Sequence, residues 1–299
     1  MAFDVLAEGL QFPEGPIAMA DGSVILVEIA RGTLSRVWNG KVEVVCELGG
    51  GPNGAALGPD GAVYVANKGG GGLAGGPRAA VQGGIDRVDL ATGKAQRLYD
   101  KVGEHPLSAP NDIVFDAEGG FWFTDFGRTT GRTRHLSGVY YARADGSQAA
   151  EVSFGGTGYN GIGLSPDEKT VYSAESYTGR LIAFDLTGPG QVVKGGRGGR
   201  LVGAAPGRAF FDSLAVQANG DICIASLAGG VTTMTAAGAS RQTPLPDRMT
   251  TNICFGGADM RDAFITLSET GRLIRMRWPE PGLRLNFSAG AAHAPGGGN

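Results

Sequence analysis

The stretch FPEGPIAMADGSVILVE, residues 12–28, places a lone glutamate, Glu14, between a proline and a glycine at the start of a short strand pattern. A turn at Asp21-Gly22 follows, and the apolar run after it predicts a second strand. Burying a carboxylate without a partner is costly, because the charge loses its hydration. A glutamate at the head of such a hairpin therefore needs polar partners from elsewhere in the chain.

The same pattern recurs five more times along the sequence. The other copies read GPNGAALGPDGAVYVAN, APNDIVFDAEGGFWFTD, GYNGIGLSPDEKTVYSAE, FFDSLAVQANGDICIAS and TTNICFGGADMRDAFITLS. Each copy has a polar head residue, and in all six units an acidic or amide residue stands seven positions after the head. The heads are Glu14, Asn53, Asn111, Asn160, Asp212 and Asn252. Six units in one register indicate an internal repeat.

A third strand that opens with glycine follows each unit, as in GTLSRVW (residues 32–38) and GRLIAFD (residues 179–185). Turn signals such as Asn39-Gly40 then precede a weaker fourth strand, so each repeat predicts a four-stranded meander. Consecutive heads lie 39 to 58 residues apart, which fits propeller blades of about 40–50 residues with loop insertions. Glycine, at 53 of 299 residues, suits a fold with many tight turns.

The sequence therefore predicts an all-β protein, a six-bladed β-propeller with four-stranded blades around a central channel. We expect one domain over residues 1–288 and a disordered C-terminal tail over 289–299.

A net charge of -3 without a basic run argues against nucleic acid as a partner, and no apolar run approaches the roughly 20 residues of a membrane span. We expect a monomer or weak homo-oligomer. The N-terminus lacks a signal-peptide pattern, so a cytoplasmic location is expected.

Three cysteines are spaced too widely for a zinc or redox motif, and we expect Cys46, Cys223 and Cys254 to be buried free thiols.

The candidate chemistry lies in the six head residues. Innermost strands line a propeller's channel, so the six heads would form a ring of two carboxylates and four carboxamides. Oxygen donors of this kind favour calcium, magnesium or manganese, and two negative charges balance one divalent cation.

The alternative interpretation is that polar heads only cap strand ends and turns, as Asn and Asp often do in β proteins. Capping explains any single head. It does not explain Glu14, or six polar heads in one register. The pattern therefore favours a metal-binding ring.

Several motifs resemble those of the regucalcin and gluconolactonase family, closest to its bacterial gluconolactonase branch, and more distantly those of diisopropyl fluorophosphatase. They are FPEGP, APNDIVFDAEGGFWFTDFG, YNGIGLSPDEKTVYSAES, FDSLAV and TTNICFGG. The resemblance implies that Glu14, Asn160 and Asp212 bind one divalent metal ion, and that Asn111 binds metal or substrate beside them. Ca²⁺ is the expected ion, with Zn²⁺, Mn²⁺, Mg²⁺ or Fe²⁺ as alternatives. The implied substrate is a small lactone.

Other candidates surround this set. Asn53 and Asn252 share the register but fall outside the implied ligands, and we expect them at most to line the pocket. His105 is a candidate proton shuttle or substrate contact, although a loop histidine is more often only solvated, and Tyr159 is a candidate pocket residue. Animal members of the family grip a sugar acid with an arginine two residues before the asparagine that corresponds to Asn111. Here that position is Ala109.

The glycine-rich stretch KGGGGLAGGPRAAVQGG, residues 68–84, is predicted between the second and third strands of its blade, on the same face as the ring. It is either a lid over the channel or a plain linker. It lacks the GK[ST] ending of a phosphate-binding loop, so nucleotide binding is not expected.

The predicted function is that of a metal-dependent lactonase. A divalent cation can polarise an ester carbonyl and acidify a water molecule, which together favour ring opening. Asp212 is the candidate general base or nucleophile, and Asn111 is the candidate positioning residue beside it. Two alternatives stay open: another hydrolase or lyase on the same metal site, such as a phosphotriesterase, and a non-catalytic binding propeller. Two acids directed into the channel favour an enzyme over a scaffold.

Overall fold

The computed structural model describes residues 2–70, 82–193, 198–205, 207 and 209–288. Every regular element within these residues is a β-strand. Accordingly, the described residues contain no helix long and apolar enough to cross a membrane. The middle of the glycine-rich stretch 68–84 and the predicted tail 289–299 lie outside the described residues.

The described strands form six blades in chain order and two separate two-stranded hairpins. Strand β1 covers Asp4–Ala7. Blade 1 contains β2 (Pro13–Ala18), β3 (Val24–Glu28), β4 (Thr33–Trp38) and β5 (Lys41–Glu47). Blade 2 contains β6 (Pro52–Leu57), β7 (Val63–Asn67), β8 (Gly84–Val88) and β9 (Ala95–Tyr99), followed by a short hairpin of β10 (Lys101–Val102) and β11 (His105–Pro106). Blade 3 contains β12 (Pro110–Phe115) and β13 (Gly120–Asp125), a short hairpin of β14 (Thr129–Thr130) and β15 (Thr133–Arg134), and then β16 (Ser137–Arg143) and β17 (Ala149–Gly156).

The second half follows the same plan. Blade 4 contains β18 (Tyr159–Leu164), β19 (Thr170–Glu175), β20 (Arg180–Gly188), the short β21 (Gln191–Val192) and β22 (Arg200–Ala204). Blade 5 contains β23 (Phe211–Val216), β24 (Ile222–Ser226), β25 (Val231–Met234) and β26 (Ser240–Thr243). Blade 6 contains the last three strands, β27 (Thr250–Gly256), β28 (Asp262–Leu267) and β29 (Arg272–Arg277).

The six-bladed β-propeller is confirmed, with one correction to the order of strands. A meander predicts that the outer strand of blade 6 follows Pro281-Gly282. Instead β1 pairs antiparallel with β29, placing Asp4 opposite Arg275 and Val5 opposite Ile274. A sheet edge presents unpaired N–H and C=O groups, and pairing the two ends of the chain satisfies them at the point where the ring closes.

Apolar cores lie between the blades, because successive side chains of a strand point to opposite faces. On β7, Val63 and Val65 pack in a cluster with residues of blade 1, whereas Tyr64 and Ala66 pack with residues of blade 3. The described residues form six such clusters, one at each junction between neighbouring blades. Each blade is therefore held by two neighbours.

The cysteines are unpaired, as predicted. Cys46 and Cys223 are buried, while Cys254 is only half-buried.

The segment 279–288 runs across one end of the channel. Leu283 donates its backbone N–H to the carbonyl oxygen of Val216 at 2.9 Å, at the far end of β23. Asn286 then bonds the carbonyl oxygen of Phe115, at the far end of β12, at 3.3 Å. The chain thus crosses from blade 5 to blade 3 beneath the channel, on the side opposite the strand heads.

The inner strands approach each other closely at glycines that follow the heads. A Cβ atom added to Gly54 would lie 2.5 Å from Cα of Asp112 and 2.6 Å from the carbonyl oxygen of Asn111. Gly161 has a similar contact, with its added Cβ 2.5 Å from the backbone nitrogen of Leu214. Such distances are far shorter than van der Waals contact, so only glycine fits at these two junctions.

The substitution Gly54→Ala is expected to lower the free energy of unfolding by about 1–3 kcal/mol, because it forces neighbouring inner strands apart. Gly188→Ala is the control, since an added Cβ there meets nothing within 4 Å, and its effect should stay within about 0.5 kcal/mol. Chemical denaturation of the two variants measures the difference. Equal stabilities would contradict the packing at this junction.

Candidate active site

The six predicted heads occupy equivalent places on the six inner strands. Each is the second residue of its strand, except Asn252, which is the third residue of β27. All six are buried, from 2% exposed for Glu14 to 9% for Asp212. The pairing of every inner strand with its neighbour is irregular at or next to the head. Irregularities of this kind re-aim side chains, here at the open end of the channel.

Two amide oxygens of the ring lack hydrogen-bond partners among the described residues. Both Oδ1 of Asn111 and Oδ1 of Asn160 are buried and unpaired. Nδ2 of Asn160 donates to Oγ of Ser176 at 3.1 Å, so Oδ1 is the polar atom of this amide that has no partner. A buried polar atom without a partner costs free energy, and an unseen ion or water is the usual explanation.

Both hydrogen bonds that Glu14 accepts go to the same carboxylate oxygen. Its Oε2 accepts a hydrogen bond from Nδ2 of Asn252 at 2.7 Å and from the backbone N–H of Gly15 at 2.6 Å. Burial raises the pKa of Glu14 well above its usual range, and the charge of Asp212 raises it further. The hydrogen bond from Asn252 acts in the opposite direction without offsetting the rise. The charges of the two acids of the ring therefore repel each other.

A third acid, Asp112, was not predicted. It follows Asn111 on β12, its Oδ1 accepts the backbone N–H of Ile113 at 2.9 Å, and it packs against Gly54. Burial raises the pKa of Asp112 to about 7. Burial likewise raises the pKa of Asp212 to about 7; the hydrogen bond from Asn160 lowers this value, and the charge of Asp112 raises it.

Two cations also lie at the mouth. The side chain of Lys68 runs over Gly51, where an added Cβ would be 2.8 Å from Cε of the lysine. Burial lowers the pKa of Lys68, while the charges of Asp212 and Glu14 raise it. Arg128 donates to the carbonyl oxygens of Lys68 and Gly70, which joins blade 3 to the start of the glycine-rich stretch.

An aromatic group forms part of the rim over blades 3 to 5. The guanidinium of Arg134 stacks on the ring of Tyr177 at 3.8 Å and lies 5.4 Å from that of Phe126. Tyr177 in turn contacts Phe210, two residues before Asp212. Cation–π stacking of this kind fixes the arginine in place.

Below the ring, the channel contains a cavity of about 100 Å³. Its walls are mostly apolar residues of the inner strands, and Asp112 and Asn252 also reach it. The segment 279–288 contributes Leu283 and Leu285 to its floor. The polar ring therefore lies above a mostly apolar compartment of the channel.

Tyr159 does not belong to this site, contrary to the sequence-based expectation. Its side chain is buried in the core between blades 3 and 4, with its ring centroid 5.8 Å from that of Phe184. Neighbouring residues of a strand face opposite sides, so a ring-facing Asn160 directs Tyr159 away from the channel.

His105 is exposed on the short β10–β11 hairpin, and no hydrogen bond among the described residues links it to the ring. Asn53 is buried at its predicted place, but its role in substrate binding stays a prediction. The lid interpretation of 68–84 also stays open, because residues 71–81 lie outside the described part.

The donor set limits which metal fits. Among the described residues, no three His, Cys, Asp or Glu side chains are grouped as a metal site. A cation in this ring would therefore depend on amide oxygens as well as on Glu14 and Asp212. The two unpaired Oδ1 atoms fit that requirement, and they favour a hard, oxygen-preferring ion.

Comparison with known proteins gives a consistent picture. The family described as SMP-30/gluconolactonase/LRE-like region matches residues 12–269. A lactonase drp35 of Staphylococcus saprophyticus is 32% identical over 196 residues, covering 64% of this chain and 56% of the relative. A gluconolactonase of Zymomonas mobilis is 27% identical over 195 residues, covering 58% and 51%. The chain thus spans about half the length of the curated relatives that it matches.

Solved structures agree on the fold. A calcium-binding protein, regucalcin, from Agrobacterium tumefaciens superposes with a TM-score of 0.74 at 21% sequence identity. The alignment covers 95% of this chain and 98% of that one. At this level of identity the likeness concerns the fold alone.

The buried acids predict an unusual pH dependence for metal-free protein. The unfolded chain releases the protons of Asp112 and Asp212 near pH 4, whereas the folded protein keeps them until about pH 7. Their stabilising effect is complete below pH 4 and is lost as the pH rises through 7. The melting temperature of chelator-treated protein should therefore fall between pH 5 and pH 8. In Asp112→Asn the fall should be smaller, and parallel profiles for the two proteins would argue against a raised pKa at Asp112.

Proposed function

The chain belongs to the SMP-30/gluconolactonase/LRE-like family, and we propose that it hydrolyses a small lactone with one divalent cation held in its channel. The observation that carries the proposal is the pair of unpaired amide oxygens, on Asn111 and Asn160, beside two buried acids. The names of two relatives, a lactonase and a gluconolactonase, support the reaction class. Because about half of each relative is matched, the activity is a proposal.

The cation would be held by Glu14, Asn160 and Asp212, with Asn111 beside them. Two carboxylates balance the charge of one divalent ion, and this removes the repulsion between Glu14 and Asp212. We propose Ca²⁺, because every donor is an oxygen and two of them are neutral amides. The calcium-binding protein of the same fold supports this choice.

When bound, a divalent cation supplies Lewis-acid polarisation of the lactone carbonyl and acidification of water. The protein's own residues perform the proton transfers. Asp212 accepts a proton from water, the water oxygen bonds to the carbonyl carbon, and the bond from that carbon to the ring oxygen breaks. Asp212 then returns the proton to the ring oxygen, which becomes the hydroxyl of a hydroxy acid. Asn111 positions the substrate with its amide group.

Asp112 influences this chemistry from below the ring. Burial raises the pKa of Asp212 to about 7 in the metal-free protein, and the charge of Asp112 raises it as well, so that Asp212 is a stronger base than an exposed aspartate. The segment 279–288 lies across the far end of the channel, and the mouth is therefore the proposed entry for water and lactone. Asp112 is thus a positioning residue that acts through Asp212.

Metal binding is tested by thermal stability. Adding Ca²⁺ to chelator-treated protein should increase stability by about 3–4 kcal/mol at 100 to 1,000 times the dissociation constant. The matched variants are Asn160→Ala, which loses a proposed ligand, and Asn219→Ala, which changes an exposed turn. The first should weaken Ca²⁺ binding and the second should not. If the melting temperature of the parent does not change on addition of Ca²⁺, Mn²⁺ or Zn²⁺, the proposed metal site is wrong.

The role of Asp212 is tested against that of Glu14. Both Asp212→Asn and Glu14→Gln remove one charge from the ring, but only the first removes the proposed base. At saturating metal, Glu14→Gln should recover much of the parent activity, while Asp212→Asn stays roughly 100-fold or more below it. The assay follows acid release from five- and six-membered sugar and aliphatic lactones, with metal occupancy measured on the same samples. Parent-like turnover by fully loaded Asp212→Asn would exclude its role as base.

A further inference from the structure

Lys68 is a charged group at the ring that the proposed reaction does not yet use. It directly follows Asn67, the last residue of β7, and is the first residue of the stretch 68–84. Its stem is fixed over Gly51, where an added Cβ would lie 2.8 Å from Cε and 2.9 Å from Cγ. Gly51 stands two residues before Asn53, so the lysine passes over the start of the blade 2 inner strand and reaches the mouth.

The backbone at Lys68 is held independently of its side chain. Arg128 donates from Nη2 to the carbonyl oxygen of Lys68 and from Nη1 to that of Gly70. Nη2 also bonds the carbonyl oxygen of Ser108 at 3.1 Å, three residues before Asn111. A substitution that changes only the side chain of Lys68 leaves this clamp intact.

The ammonium group lies near enough to the ring acids for their charges to act on it, but it forms no ion pair with either of them. Its charge interacts with those of Asp212 and Glu14. No ion pair in the described part of the chain includes Lys68. The stretch 71–81 contains no Asp or Glu that could pair with it.

Charge balance then determines what the mouth can bind. This step rests on the proposed function: one divalent cation neutralises Glu14 and Asp212, and the positive charge of Lys68 is left without a counter-charge. A partly buried, unpaired cation beside a reaction site favours an anion. Lactone hydrolysis creates an anion, since the carbonyl oxygen gains negative charge and the product is a carboxylate.

We propose that the ammonium group of Lys68 binds the acid end of the reacting molecule, first as the charged carbonyl oxygen and then as the carboxylate of the hydroxy acid. Lys68 is on blade 2, whereas Ala109, which lacks a cationic side chain, is on blade 3. The acid end therefore points toward blade 2. The same interaction makes hydroxy acids competitive inhibitors.

The test compares Lys68→Met with Lys68→Arg, which keeps the charge, and Lys94→Met, which removes a lysine from an exposed turn at the other face. Binding of gluconate and of 5-hydroxypentanoate to Ca²⁺-loaded protein is measured by calorimetry, with glucitol as the uncharged comparison. Lys68→Met should weaken hydroxy-acid binding roughly 10- to 100-fold, the range of a charge-assisted hydrogen bond. Glucitol binding, Ca²⁺ affinity and the melting temperature should not fall, and Lys68→Arg should retain most of the hydroxy-acid affinity.

The outcomes separate this proposal from the lactonase proposal. If Lys68→Met binds both hydroxy acids as the parent does, or if the parent binds neither, the role of Lys68 is wrong even when lactones are hydrolysed. If the parent opens no lactone but its hydroxy-acid binding still depends on Lys68, the anion site stands and the proposed reaction is wrong. A loss of Ca²⁺ affinity in Lys68→Met equal to its loss of hydroxy-acid affinity would assign Lys68 a structural role and overturn the proposal.

Discussion

Repulsion between the buried carboxylates of Glu14 and Asp212 is the constraint on which the design of the channel depends. A single buried acid can be satisfied by hydrogen bonds, but two acids in one dry site cannot both ionise without a cation. The structure supplies only partial relief, through two hydrogen bonds to Oε2 of Glu14 and a nearby lysine, while two amide oxygens of the ring have no donor to accept from. A protein that keeps such a ring carries a stability cost, which is the usual sign of a site maintained for function.

Close packing is what brings these groups together. Six inner strands can surround a narrow channel only if their backbones nearly touch, and glycines such as Gly54 and Gly161 permit that contact. The irregular pairing at each head then turns its side chain inward. The blades are therefore both the scaffold and the means of aiming the ring.

Repetition made much of this predictable from the sequence. Heads, turns and third strands recur in one register. A chance match in one unit would not recur in the other five, so the repeat identifies the strands reliably. What does not repeat was missed: Asp112 is an acid at a position where other units have glycine, serine or isoleucine, and Lys68 is placed by Arg128, 60 residues away. Tyr159 is next to Asn160 in sequence, but neighbouring side chains of a strand alternate between its faces, so Tyr159 lies in the core between blades 3 and 4.

The pairing of β1 with β29 also sets a condition on how the molecule folds. Asp4 and Arg275 are 271 positions apart, so the last sheet cannot be completed until nearly the whole chain is available. Contacts of such long separation carry a large entropic cost and form late. Until then β29 presents an open edge to other chains. The contact between β1 and β29, inside blade 6, is thus among the last parts of the circle to assemble.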